Sequence, residues 1–163
     1  MSIRLSLNGW QLDLTFSAAH LIPHHQKCGR LHGHSYAVNI ELEGTPGPEG
    51  IVMDFGVIKQ ALRRILNSLD HRLLVPTRNP GVQIEESEGH IKVTIGSKHY
   101  VIPSDDVVLL DIESSTAEHL SHYLLQELIT VLQPGDTISK FSLGLDEGLG
   151  QGAWSTIEFQ TPK

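Results

Sequence analysis

Residues Phe16 to His34 read F-S-A-A-H-L-I-P-H-H-Q-K-C-G-R-L-H-G-H and hold the chain's single cysteine between His20 and the pair His32 and His34. Leading into this stretch, Leu12, Leu14, Phe16, Ala18 and His20 alternate with Gln11, Asp13, Thr15, Ser17 and Ala19. That period of two predicts a half-buried strand over 11–20. Beyond it, His32, His34, Tyr36, Val38, Ile40 and Leu42 form a second row, opposed by Ser35, Asn39, Glu41 and Glu43. If the two strands pair antiparallel, the end of the first lies beside the start of the second. His20, His32 and His34 then converge on one sheet face, a ligand set suited to Zn2+ with its fourth position open to substrate or water. An H-x-H pair alone is a weak signal, because histidine is often a hydrogen-bonded residue and nothing more. A closed structural site with Cys28 as fourth ligand is the competing reading of the same residues.

The 163 residues, 39% of them hydrophobic, fit one globular domain spanning 1–163 with a substantial core. One cysteine excludes an internal disulfide framework, and the start of the chain shows neither a basic leader nor an apolar run, so the expected compartment is the cytoplasm. No stretch approaches the roughly 20 apolar residues that span a bilayer. A net charge of -7 argues against general affinity for nucleic acid or anionic lipid. Small-molecule chemistry remains.

Downstream, Gly44 to Gly50 is a turn region, and Asp54 reads as the N-cap of a helix. Ile58, Ala61, Leu62, Ile65, Leu66 and Leu69 make its apolar face, opposite Lys59, Gln60, Arg63 and Arg64. Gly81 to Pro103 reads as an inserted hairpin, with an acidic turn E-E-S-E-G before Ile91, Val93 and Ile95 and a second strand at Tyr100 to Ile102. Ser115 and Glu118 have the spacing of a capping box ahead of Leu120, Leu124, Leu125, Leu128 and Leu132. Two last strands carry Phe141, Leu143 and Leu145, then Ala153 to Phe159. The expected fold is α+β: an antiparallel sheet with two helices on one face, plus the inserted hairpin. Open edges of so small a sheet are commonly paired with another subunit.

The F-S-A-A-H segment, K-C-G-R-L-H-G-H-S, the M-D-F helix start, L-D-H at 69–71, S-T-A-E at 115–118 and Glu147 resemble, in that order, the 6-pyruvoyltetrahydropterin synthase superfamily. The resemblance covers most of the chain. The C-x3-H-G-H spacing from Cys28 to His34 is more similar to the 6-carboxytetrahydropterin synthase branch of deazapurine (queuosine or archaeosine precursor) biosynthesis. It implies a ββααββ tunnelling fold and a homo-oligomer, a hexamer built from trimers. It also implies His20, His32 and His34 as zinc ligands, Cys28 as catalytic thiol, Asp70 and His71 as its proton-transfer partners, and Glu147 as anchor of a pterin ring, with Thr116 and Glu118 beside it. The implied substrate is 7,8-dihydroneopterin triphosphate. The carboxy branch yields 6-carboxytetrahydropterin with loss of acetaldehyde and triphosphate, whereas the pyruvoyl branch eliminates triphosphate and keeps the side chain as a diketone.

The residues themselves bear on each assignment. Lys27, Arg30 and a nearby metal favour thiolate at Cys28. A carboxylate at Asp70 can orient an imidazole at His71, although a helix C-terminus would also attract that histidine. Glu147 continues the row Phe141, Leu143, Leu145 and so points inward, where a carboxylate needs a partner, and Asp146 replaces it if the bend shifts register. Arg30 is the first candidate for the triphosphate, ahead of Lys27, Arg72 and Arg78, with His24 and His25 also within the loop. His119 and His122 are expected to face solvent, and His90 and His99 have no assigned role. A metal-stabilised binding protein and a zinc hydrolase are the readings from other classes, and neither needs Cys28.

Overall fold

The computed structural model describes residues 1–159. Strand β1 (Ile3–Leu7) leads into a single helical turn, α1 (Gly9–Leu12), then β2 (Thr15–His20) and the long β3 (His32–Gly44). Helix α2 (Phe55–Asn67) is followed by β4 (Arg72–Pro76), the inserted strands β5 (Gln83–Ser87), β6 (His90–Ile95) and β7 (Lys98–Pro103), and β8 (Val107–Leu110). Helix α3 (Ala117–Leu132) and strands β9 (Ile138–Glu147) and β10 (Gly152–Glu158) complete the chain.

The main sheet runs β10-β9-β3-β2-β4-β8, and β1 joins β3 further along the edge that β2 occupies. The fold is the expected α+β type, with both long helices on one sheet face. Leu14, Phe16, Tyr36, Val38 and Ile40 from the sheet meet Ile58, Leu62 and Leu66 of α2 and Leu120, Leu124 and Leu128 of α3 in one core. Leu62 and Leu124 are fully buried, so truncating either to Ala costs about 2–5 kcal/mol. Asp54 caps α2 as expected, its carboxylate accepting from the Gly56 N–H at 2.6 Å. No helix among the described residues is long and apolar enough to cross a membrane.

Several local expectations are corrected. The first strand starts at Thr15 and not at Gln11, because the Asn8 side chain accepts from the Gln11 N–H and caps a helical turn that Asp13 closes in the left-handed region. Gly9 permits the turn to lie on β3, since a Cβ there would stand 2.4 Å from the Val38 carbonyl oxygen. Strands β4 and β8 attach in parallel, β4 to β2 and β8 to β4. Strand β4 reads as a continuous apolar run because it is covered on both faces. Leu74 joins the main core, while Leu73 and Val75 meet Val82, Ile91, Val93 and Val107 in a second one.

That second core belongs to the insertion, which is a three-stranded sheet and not a hairpin. Only the end of the acidic stretch expected as a turn, Glu88 and Gly89, turns; the rest is an edge strand, in which Ile84 pairs with Val93, Glu86 with Ile91, and the exposed Glu85 meets Lys92 at 3.1 Å. The capping box is absent as well. Thr116 is the N-cap of α3 without a side-chain cap bond, and Ser115 is fully buried with its hydroxyl donating to the Leu21 carbonyl at 3.2 Å.

Candidate metal centre

His20 is the last residue of β2 and lies directly opposite His32, the first of β3, while His34 lies opposite Ala18. The rings gather with centroids 4.6 Å apart for His20 and His32 and 5.1 Å for each pair involving His34. The His20 Nδ1–H donates to the Ser115 carbonyl at 2.7 Å and the His32 Nδ1–H to the Arg30 carbonyl at 2.7 Å. Both Nε2 atoms are thereby left as lone-pair acceptors, and they face each other at 3.2 Å. Two acceptors at that distance repel unless a cation lies between them. Nitrogen ligands of a tetrahedral zinc at about 2.0–2.1 Å are separated by roughly 3.3 Å, so the pair fits such an ion. With His34, whose ligand nitrogen falls in the same cluster, the three histidines could hold one metal ion. Burial also lowers the His20 pKa and so favours its neutral form, partly offset by the Ser115 carbonyl and Glu147.

Below the histidines lies Tyr36, fully buried and stacked on Phe16 at 4.8 Å. Its hydroxyl reaches Glu147 Oε1 at 3.4 Å, and burial beside that carboxylate pushes the phenol pKa upward. Glu147 Oε1 stands 3.7 Å from both His20 Nε2 and His34 Nε2. Asp146 does not replace it. That side chain faces the opposite surface, where Oδ2 accepts from Trp10 Nε1 at 2.9 Å and Asn39 Nδ2 at 3.0 Å. Sequence reasoning assigned no site role to Tyr36 or Ser115. The signal for Tyr36 was its place in the row His32, His34, Tyr36; Ser115 carried none, since its part is played by a backbone carbonyl.

Glu147, Thr116 and Glu118 line one cavity of about 300 Å³, together with Ile22, Gln151 and Ala153. The Glu118 carboxylate is held below the usual range by its own backbone N–H and the Thr116 hydroxyl. Asp70 and His71 do touch: Asp70 Oδ2 accepts from His71 Nδ1 at 2.8 Å, and Oδ1 accepts from the Ser17 N–H at 2.8 Å. His71 adopts φ of 58°, and its ring is 82% exposed, with no hydrogen bond to Nε2 among the described residues. His71 and His34 border a common groove with Ser17, Ser35, Ile102 and Asp106.

Cys28 lies half-buried in the loop between the ligands, where its N–H donates to His25 Nδ1 at 2.9 Å. The metal-competent cluster contains the three histidines without it. Among the described residues no hydrogen bond joins Cys28 to Asp70 or His71. Arg30 and Lys27 are exposed in the same loop; Arg72 borders the groove and bonds the Ser68 carbonyl, and Arg78 pairs instead with Asp111 at 3.5 Å. His119 and His122 are exposed as expected.

Comparison with known proteins follows the same lines. The sequence profile of the 6-pyruvoyl tetrahydropterin synthase family matches residues 11–148. A Methanocaldococcus jannaschii protein, provisionally named 6-carboxy-5,6,7,8-tetrahydropterin synthase, is 38% identical over 91% of this chain and 93% of its own length. The 6-carboxy-5,6,7,8-tetrahydropterin synthase of Rickettsia felis is 29% identical over 82% of this chain and 89% of its own. Among solved structures, the 6-pyruvoyl tetrahydropterin synthase of Plasmodium vivax superposes with a TM-score of 0.90 at 26% identity, covering 98% of this chain and 99% of that one.

Proposed function

Because the chain belongs to the 6-pyruvoyl tetrahydropterin synthase family, we propose that it is a zinc-dependent lyase of the 6-carboxy branch. It converts 7,8-dihydroneopterin triphosphate and one water to 6-carboxy-5,6,7,8-tetrahydropterin, acetaldehyde and triphosphate, in the cytoplasm and on the way to a deazapurine. The observation that carries this reading is the pair of Nε2 acceptors held face to face by Ser115 and Arg30, beside a cavity with Glu147 at its wall.

A zinc ion bound by His20, His32 and His34 would act as Lewis acid toward the substrate's side-chain oxygens, making neighbouring C–H and O–H protons easier to remove. Glu147 accepts two parallel hydrogen bonds from the pterin 2-amino group and ring N–H, which fixes the ring and offsets the burial of the carboxylate. Thr116 and Glu118 border the ring. The Cys28 thiolate takes a proton at Sγ. His71 moves a second through Nε2, with its tautomer set by Asp70 on Nδ1. Arg30 receives the triphosphate.

The homo-oligomer implied by the resemblance, a hexamer built from trimers, is supported by the two edge strands β10 and β8, neither of which has a second neighbour among the described residues. Such an assembly also offers a route for a second chain to bring its Asp70 and His71 to Cys28.

The likeness to the Plasmodium vivax enzyme favours one second reading, the pyruvoyl outcome, since both branches draw on the same ligand set. Mass analysis of the products after incubation with substrate and zinc separates them. Acetaldehyde with the 6-carboxy pterin supports the proposal, and a diketone pterin without acetaldehyde contradicts it.

A further inference from the structure

The loop that carries Cys28 makes most of its bonds to itself. The Ile22 N–H donates to the Cys28 carbonyl at 2.8 Å, the Gly29 N–H to the His25 carbonyl at 2.9 Å, and the Cys28 N–H to the His25 ring. Gly29 is required in this coil, because a Cβ there would stand 2.3 Å from the His25 carbonyl oxygen. Leu21 and Pro23 bury the start of the loop, but His24, His25, Gln26 and Lys27 before the thiol and Arg30 after it are exposed, so the part that carries Cys28 has little packing of its own. Its external support comes from the inserted sheet. Lys98, at the start of β7, donates from Nζ to the Gly29 carbonyl at 2.5 Å, immediately after Cys28. On the approach to β5, Gly81 leaves room for the His24 ring, whose Nε2 occupies the place a Cβ would need, 2.5 Å away.

The insertion is itself anchored by a buried apolar cluster. Val93 and Ile91 are buried against Leu73 and Val75 of β4, the strand that begins one residue after His71. Further along the same body, Ile102 and Asp106 face the groove shared by His34 and His71. One small sheet thus touches the thiol loop at one end and the strand following the Asp70–His71 pair at the other.

We propose that Lys98 is a positioning residue for the reaction: its ammonium clamps the Gly29 carbonyl, and the inserted sheet thereby sets Cys28 in register with the metal site. The inference rests on the reading of Cys28 as the base. A charge-assisted bond to a carbonyl is stronger than a neutral one, and the lysine stem carries the ammonium across to the Gly29 carbonyl. Misplacing a reacting group by about 1 Å can cost up to about 100-fold in rate, so loss of the clamp should act on turnover.

The test compares wild type, Lys98→Met and Lys98→Arg by steady-state kinetics and by the rate of iodoacetamide alkylation, which reads Cys28 alone because the chain has one cysteine. The expected result for Lys98→Met is a fall in kcat of about tenfold with KM within about twofold, faster alkylation, and recovery of both in Lys98→Arg. A raised KM with unchanged kcat overturns the inference, since Lys98 would then meet the substrate's phosphates directly. Unchanged kcat and unchanged alkylation also overturn it. If wild type does not turn over the pterin triphosphate, the proposed reaction fails separately, and alkylation decides the clamp: faster in Lys98→Met and restored in Lys98→Arg supports it, equal in all three overturns it.

Discussion

His20 and His32 face each other across the β2–β3 ladder with their Nε2 atoms 3.2 Å apart, each ring fixed by a backbone carbonyl on its far nitrogen. The strand pairing brings the imidazoles together, and the Ser115 and Arg30 carbonyls choose which nitrogen each presents. Ligand geometry here is therefore a property of backbone position more than of side-chain packing, and it should survive changes elsewhere in the cavity.

The Asp70–His71 contact makes stability depend on pH in a defined direction. Burial works against ionisation of Asp70, but the Ser17 N–H and the His71 ring outweigh it, and the net effect holds the carboxyl below its ordinary 3.8. A depressed carboxylate stabilises the fold fully above the unfolded-state pKa, and that contribution is lost as pH falls through the folded-state value. Asp70→Asn should therefore lower stability by about 1 kcal/mol near neutral pH, less than the usual worth of a charged hydrogen bond because the His71 ring is largely exposed and screened by solvent. Thermal melts should show the gap to wild type closing on acidification below about pH 4.

Glu147→Gln keeps the shape of the pterin anchor but replaces one acceptor oxygen with a donor. Binding of a pterin should weaken by about 10- to 100-fold, corresponding to one lost charged hydrogen bond of about 1.5–3 kcal/mol. Metal content should not change, since the ligand cluster is formed by the three histidines. Pterin titration by fluorescence and metal analysis of the same sample check both halves, and loss of metal in the variant would assign Glu147 to the ion instead.

Gly9→Ala tests the seating of α1 on β3. The new methyl would meet the Val38 carbonyl oxygen at 2.4 Å, and both partners are backbone, so the turn must move away. A destabilisation of about 1–3 kcal/mol follows, measured by urea unfolding. The Gly9 N–H bond to Asn39 Oδ1 should be lost with it.

What was legible in the sequence had a local period. Alternation along 15–20 and 32–42 brought His20, His32 and His34 to one face, and the three-four spacing from Ile58 to Leu69 and from Leu120 to Leu132 marked both helices. Position 147 was readable from the row Phe141, Leu143, Leu145. Elements decided by distant contacts were not. Ile3, Leu5 and Leu7 alternate over too short a span to mark β1 by themselves, and the apolar run in Arg72–Pro76 carries no local indication that it pairs in parallel. Alternation over Gln11 to Leu14 misled because Asn8 offers the backbone a competing cap. Ser115 matched a capping box in spacing, but tertiary structure turns it inward, where its carbonyl orients His20.

The most direct test of the account is metal titration of chelator-stripped wild type, Cys28→Ala and His32→Ala by calorimetry, with activity measured on the same preparations. The expected result is one zinc per chain in wild type and in Cys28→Ala, no tight site in His32→Ala, and turnover lost in both variants. Loss of zinc binding in Cys28→Ala, or full activity without the thiol, would contradict a three-histidine metal centre served by a free cysteine.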